Sequence, residues 1–170
     1  LYPSFMQTVT ATGRLSSRNP NFQNQPRGNT FPIRKAIASR FDGGSIMEID
    51  YAQLEFRTAV FLAQDKQGMK DIENGVDVHQ YTADIIGCSR QNAKAHTFKP
   101  LYGGMSGTEN EKKYYSAFLK KYPDIKAWHE KLQDDAVRRK VVTLPSGRQY
   151  AFPKAERMPW GGSSFSTQIK

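Results

Sequence analysis

Arg90, Lys94, Phe98 and Tyr102 recur every four residues, so on a helix they form one slowly winding stripe. The stripe carries two cations and then two aromatic rings. That order suits a ligand with a charged phosphate tail at one end and a flat, stackable base at the other. A nucleoside triphosphate meets both requirements: Arg offers phosphate oxygens a planar fork, Lys a point charge, and the rings a stacking face. Aromatic residues at helical spacing more often pack into a core, and exposed lysines are more often merely solvated. The stripe therefore needs support from the rest of the chain.

A second candidate is Asp50, which follows the apolar run Ser45-Ile46-Met47-Glu48-Ile49 and precedes a helical pattern. A carboxylate at a strand end is a common magnesium ligand, although Asp also caps helices well. Ser45–Tyr51 is expected to form a buried strand because of its β-branched residues. The turn formers Asp42-Gly43-Gly44 precede it.

The elements that must position these residues follow from periodicity. Leu54, Phe56, Val60, Phe61 and Leu62 predict a helix within 53–64, and a second helix runs from Val78 to Ile86 and stops near Gly87. Ser89 is the expected N-cap of the stripe helix. Charged helices follow over Glu109–Lys121 and Asp124–Lys140, separated by Pro123. Val141–Leu144, the turn Pro145-Ser146-Gly147-Arg148, and Gln149–Phe152 read as a β-hairpin. Residues up to about Arg40 are polar and rich in turn formers, including Pro26-Arg27-Gly28-Asn29. Within them Arg34–Ala38 fits either an edge strand or a single turn.

Composition narrows the class. The 170 residues suffice for one domain or two interleaved subdomains, and 38% hydrophobic content exceeds that of a disordered chain. A net charge of +9 points to a polyanionic partner. The lone Cys88 cannot form an internal disulfide, which suits a reducing interior, and no apolar run approaches the roughly 18 residues that a membrane span needs. The chain starts at Leu1 and stops at Lys170, where Ser166-Thr167-Gln168-Ile169 looks like a helix start. It reads as an internal piece of a longer protein.

Asp50-Tyr51-Ala52-Gln53-Leu54-Glu55-Phe56-Arg57 resembles motif A of family A DNA polymerases, the DNA polymerase I group. Arg90 through Gly103 resembles motif B, the fingers helix over the incoming nucleotide. Thr10–Ser17 with Pro20–Pro26 is similar to the primer–template segment, Asp77-Val78-His79 to the Asp-x-His ahead of the fingers helix, and Thr143-Leu144 with Gly147-Arg148 to a downstream hairpin. The five matches occur in family order across nearly the whole chain.

The resemblance implies an α/β (α+β) fold, a partial palm with a short antiparallel sheet plus a mainly helical fingers subdomain. Residues 1–62 would be partial palm, 63–160 fingers and 161–170 the return toward the palm. It implies template-directed DNA synthesis with primer-template DNA and dNTP as partners, two Mg2+ ions in the complete enzyme, a monomer, and a cytoplasmic setting (a host's, if the source is viral). Asp50 and the Tyr51 carbonyl would be metal ligands; Asp50 and Lys94 would be catalytic. Arg90 and Lys94 would hold the triphosphate, Phe98 and Tyr102 would flank the nascent base pair, and Gln53 and His79 would assist. Glu55 with Tyr102 would exclude a ribose 2′-hydroxyl. Arg14, Asn21, Gln23, Asn24 and Arg57 would contact DNA without reading sequence.

Three departures from the family pattern qualify this. No His-Asp-Glu triplet occurs, so the second catalytic carboxylate is missing and this stretch by itself is expected to have little or no polymerase activity. Pro100 lies inside the stripe and is expected to end or kink its helix, and Lys99 stands where the family usually has glycine. The short Gly103–Glu109 connection implies compact fingers, as in a phage or viral lineage. Lys112-Lys113, Lys120-Lys121 and Arg138-Arg139-Lys140 read as solvated helix faces, and Asp134-Asp135 as surface. The alternatives are a single-subunit RNA polymerase-like enzyme, against which Glu55 speaks, and a nucleic-acid-binding module without activity.

Overall fold

The computed structural model describes residues 2–10, 12–26, 32–159, 163, 164 and 169. The turn residues Arg27-Gly28-Asn29 and the helix start from Ser166 onward lie outside them, Ile169 excepted. The chain divides into two units, Leu1–Asp50 and Tyr51–Lys170.

In the first unit β1 (Ser4–Met6) pairs antiparallel with β2 (Ser16–Arg18), Phe5 opposite Ser17. One side chain covers another edge of β2. Gln23 Nε2 donates to the Leu15 carbonyl at 2.9 Å, and Gln23 Oε1 accepts the Ser17 N–H at 2.8 Å. Backbone groups two residues apart share a strand edge, so this carboxamide does what a third strand's donor and acceptor would do. Ser17 Oγ in turn accepts the Phe22 N–H at 3.2 Å, and Asn21 Oδ1 accepts the Gln23 and Asn24 N–H groups at 3.0 and 3.3 Å. Ile33–Ala36 is a single 3-10 turn. A further turn closes where the Gly44 N–H donates to the Phe41 carbonyl at 3.0 Å, with Gly43 at a φ of 69°.

The expected buried strand over Ser45–Tyr51 does not form. Every residue from 40 to 52 is exposed and 45–51 has no regular structure. β-Branched side chains favour a strand only where a neighbour satisfies its N–H and C=O groups, and none among the described residues pairs with this run.

The second unit is helical: α1 (Leu54–Ala63), α2 (Lys66–Glu73), α3 (Val78–Ile86), α4 (Arg90–Thr97), α5 (Glu109–Lys121) and α6 (Pro123–Arg139). The core is a ladder of aromatic rings. Tyr114, Phe118 and Tyr122 stand at four-residue spacing along α5 and its C-cap, all fully buried, and Phe56 of α1 meets Phe118 and Tyr122 edge-on at 6.3 and 5.1 Å. Edge-to-face contact is the arrangement that ring quadrupoles favour. Two of these rings carry hydroxyls with partners: Tyr114 donates to the Thr97 carbonyl and Tyr122 to Asp71 Oδ2, both at 2.8 Å.

Helix α2 has no counterpart in the sequence reading. Gly68 interrupts its eight residues, and no long apolar stripe marks it. Tertiary caps hold it instead. Asp65, fully buried, accepts the Gly68 N–H at 2.8 Å and, through its other oxygen, the Asp124 and Ile125 N–H groups at 3.0 and 3.2 Å. One carboxylate thus caps α2 and the start of α6. Gly68 is required because a β-carbon there would run into Val60 of α1.

Lys121 corrects another expectation. It is not on a solvated face: its Nζ lies 2.7 Å from Asp71 Oδ2 and 4.2 Å from the centre of the Tyr81 ring. A hairpin of β3 (Val141–Thr143) and β4 (Gln149–Ala151) follows α6 as expected, with Gly147 at a φ of 83° in its turn. Leu132, Ala136, Val142, Ala155 and Ile169 form a second small core beneath it. The mixed α/β content, two small antiparallel sheets beside a mostly helical region, agrees with the fold class expected from the sequence. No helix among the described residues is long and apolar enough to cross a membrane.

Candidate functional site

The stripe starts where two helix N-termini meet. Asp77 caps α3: its Oδ1 accepts the His79 and Gln80 N–H groups at 3.0 and 3.2 Å. Its Oδ2 accepts from Arg90 Nε at 2.6 Å. Arg90 opens α4, which is capped by Ser89 as expected, Ser89 Oγ accepting the Asn92 N–H at 3.2 Å. The Arg90 bond, then the two N–H groups, hold the Asp77 carboxyl below the usual carboxylate range against a smaller opposing effect of burial. Arg90 remains 46% exposed, so its fork is still presented. One turn on, Lys94 is exposed and makes no hydrogen bond or ion pair among the described residues.

His79 turns its ring to α4. Its Nδ1 lies 2.9 Å from Thr97 Oγ1. The Thr97 hydroxyl donates its one proton to the Ala93 carbonyl at 2.9 Å, so Nδ1 must be the protonated nitrogen and Nε2 carries the lone pair. The ring also contacts Phe98, with centroids 5.2 Å apart. Burial pushes the imidazolium's pKa down, more than Asp77 pulls it up, and Arg90 and Lys94 each add a smaller downward push. His79 is therefore neutral at neutral pH.

Pro100 has the expected effect. Helix α4 ends at Thr97, Phe98 caps it, and Lys99–Tyr102 forms a 3-10 turn with Pro100 buried in it. Tyr102 thereby leaves the helical stripe. It faces a cavity of about 300 Å³ that Glu55 and Thr58 of α1 also line, together with Trp128, His129 and Leu144. The pair Glu55 and Tyr102, far apart in sequence, thus lies on one cavity. Trp128 and His129 carried no motif that could have marked them. Phe98 sits half-buried against His79, and its base-stacking role remains an expectation.

Around motif A, Gln53 adopts a left-handed backbone (φ 54°) as the N-cap of α1, and Arg57 Nε reaches back to the Ala52 carbonyl at 3.0 Å. Tyr51 is 78% exposed, and Asp50 is exposed at the end of the first unit. Asp50 and the Tyr51 carbonyl are hard oxygen donors of the kind magnesium takes. Two donors fall well short of an octahedral shell, and no group of three His, Cys, Asp or Glu that could hold a metal gathers among the described residues. These residues do not by themselves fit a two-magnesium centre.

The primer–template candidates Arg14, Asn21, Gln23 and Asn24 are all exposed, and Asn21 and Gln23 also bond backbone groups of the first unit's loop.

The helical unit thus presents two cations and a ring along α4, and Glu55 and Tyr102 on a largely apolar cavity. The profile of DNA polymerase family A matches residues 1–167, and the chain belongs to that family, whose members use Mg2+. It is 32% identical over 173 residues to the thermostable DNA polymerase I of Thermus thermophilus, covering 90% of this chain and 21% of that protein. It is 30% identical over 176 residues to the thermostable DNA polymerase I of Thermus aquaticus, covering 92% and 21%, and 31% identical over 179 residues to DNA polymerase I of Pseudomonas aeruginosa, covering 91% and 19%. The chain thus spans about a fifth of these relatives' length. Among solved structures it is similar in fold to the POL domain of Pol1 from M. smegmatis in complex with DNA primer-template and dNTP, with a TM-score of 0.66, 23% identity, and coverage of 90% of this chain and 30% of that one.

Proposed function

We propose that the chain is the palm–fingers portion of a template-directed DNA polymerase, transferring a nucleotide from a dNTP to a primer 3′-hydroxyl. Family membership supports the reaction class. The observation that carries the local reading is the run along α4, where Arg90 and Lys94 stand on successive turns and His79 meets Thr97 and Phe98 at the helix's end. In this reading 1–62 belongs to the palm, 63–160 to the fingers and 161–170 to the return.

Arg90 and Lys94 take the triphosphate, and Lys94 stands ready to give a proton to the leaving pyrophosphate. His79, neutral beforehand, accepts a hydrogen bond or a proton at Nε2 once a polyanion arrives. Phe98 and Tyr102 offer faces to the nascent pair, while Glu55 and Tyr102 crowd the sugar's 2′ position. Arg14, Asn24 and Arg57 face DNA, with Asn21 and Gln23 shaping the loop that carries them. Asp50 and the Tyr51 carbonyl would be this chain's contribution to the magnesium site of a complete polymerase.

Titration of the chain with dATP and with ATP, in the presence of a primer–template duplex, tests this. Tighter binding of dATP, weakened roughly tenfold by Arg90→Ala, is expected. Equal binding of ATP, or no response to Arg90→Ala, would remove the reading.

A further inference from the structure

We propose that Asp77 is a positioning residue of the nucleotide grip, whose single carboxylate fixes both the Arg90 guanidinium and the backbone that carries His79. The inference rests on the nucleotide reading of the stripe and adds a residue to which that reading gave no role.

The geometry divides the two oxygens cleanly. Oδ1 takes the His79 and Gln80 N–H groups, which α3 leaves without internal partners, and Oδ2 takes Arg90 Nε at 2.6 Å. Thirteen residues separate Asp77 from Arg90, so the bond ties the first turn of α3 to the first residue of α4. A bond at Nε fixes the guanidinium plane and leaves the two Nη groups pointing away. These make no hydrogen bond among the described residues, and the side chain stays nearly half exposed. An unanchored arginine must lose its rotamer freedom when it grips phosphate; here that freedom is already lost.

The rival role for Asp77 is a competitor that occupies the cation until phosphate displaces it. Engagement through Nε alone, with the fork left open, favours positioning. The carboxylate is also held ionised by Arg90 itself, so it serves as a fixed anchor throughout the neutral range.

Asp77→Asn separates the cap from the anchor. Asn caps helices as well as Asp through its one carbonyl oxygen, but its NH2 cannot accept from Arg90. Calorimetric titration of the chain with dATP, alongside the NMR signal of Arg90 Nε–H, provides the readout. Asp77→Asn is expected to leave the melting temperature within a few degrees and abolish the protected Nε–H signal. It should weaken dATP roughly tenfold. On an Arg90→Ala background the same change should have less than a roughly twofold effect. Should Asp77→Asn fold poorly, Asp77→Ser keeps a helix-capping oxygen on a side chain too short to reach Arg90. It should then lose affinity by a similar factor. Tighter dATP binding by Asp77→Asn would establish the competitor and overturn the proposal. So would unchanged binding alongside a clear loss in Arg90→Ala. If Arg90→Ala itself changes nothing, the nucleotide reading fails first and this inference with it.

Discussion

Among the described residues of the first unit only Ser17 is buried, whereas the second unit buries a run of rings from Tyr114 through Phe118 and Tyr122 to Phe56. Exposed apolar side chains show the same contrast. Of the fifteen large hydrophobics that stand exposed among the described residues, ten lie before residue 50. The first unit takes its local shape from side chains bonded to nearby backbone, with Gln23, Ser17 and Asn21 each reaching at most eight residues along the chain. The second takes its shape from contacts between distant helices. Hydrogen bonds of the first kind specify a loop's form but contribute little net free energy, because water offers the same groups partners in the unfolded chain. Burial of rings contributes far more.

The sharpest way to break this contrast is a matched pair of substitutions. Phe118→Ala removes a fully buried ring that touches Phe56, Tyr114 and Tyr122, and is expected to cost about 3–5 kcal/mol in thermal or urea unfolding. Phe5→Ala, on a side chain 55% exposed, should change stability by less than about 0.5 kcal/mol. Similar costs for the two would show that the first unit has a core of its own.

A smaller effect concerns the charge buried in the second unit. Burial pushes the Asp71 carboxyl up, but Lys121, Tyr122 and Gln67 together pull it further down, leaving a pKa below 3.8. A carboxyl lowered on folding contributes stability above its unfolded pKa, and that stability is lost as pH falls through the folded value. Melting of the second unit should therefore weaken on acidification from about pH 4 downward. Asp71→Asn should be less stable at neutral pH and flatter across that range. A variant with the wild-type slope would mean that this network is not what acid disrupts.

The smallest effect is local. Gln23→Ala exposes the Ser17 N–H, and hydrogen exchange at that amide should quicken roughly tenfold, in line with one lost hydrogen bond, while the second unit's melting is unchanged. Slower or unaltered exchange would show that β2 holds its edge without the carboxamide.

Particular residues show what could be read beforehand. Ser89, Gly87 and Gly147 mark a helix start, a helix stop and a hairpin turn, and each acts within a few residues of itself. Pro100 could be recognised as the end of the stripe helix because a missing N–H is a property of the residue. The strand over Ser45–Tyr51 failed because strand formation depends on a neighbour that the run itself cannot supply. Helix α2 was hidden because Gly68 interrupts it, and what fixes its local cap Asp65 and bonds its first N–H lies at the start of α6, 58 to 60 residues on.

What the sequence determined by itself was the family, through five short motifs in order, and the identity of the cations and rings offered to a nucleotide. Their types and spacing are covalent facts that folding cannot alter. The tertiary structure decided which groups meet: Asp77 with Arg90, His79 with Thr97, Lys121 with Asp71, and Glu55 with Tyr102 on one cavity. These pairings arise where one helix packs on another or the chain closes around a cavity. Nothing in their local spacing encodes them, because a side chain's partner across a packed interface depends on the angle and register at which two elements come to rest.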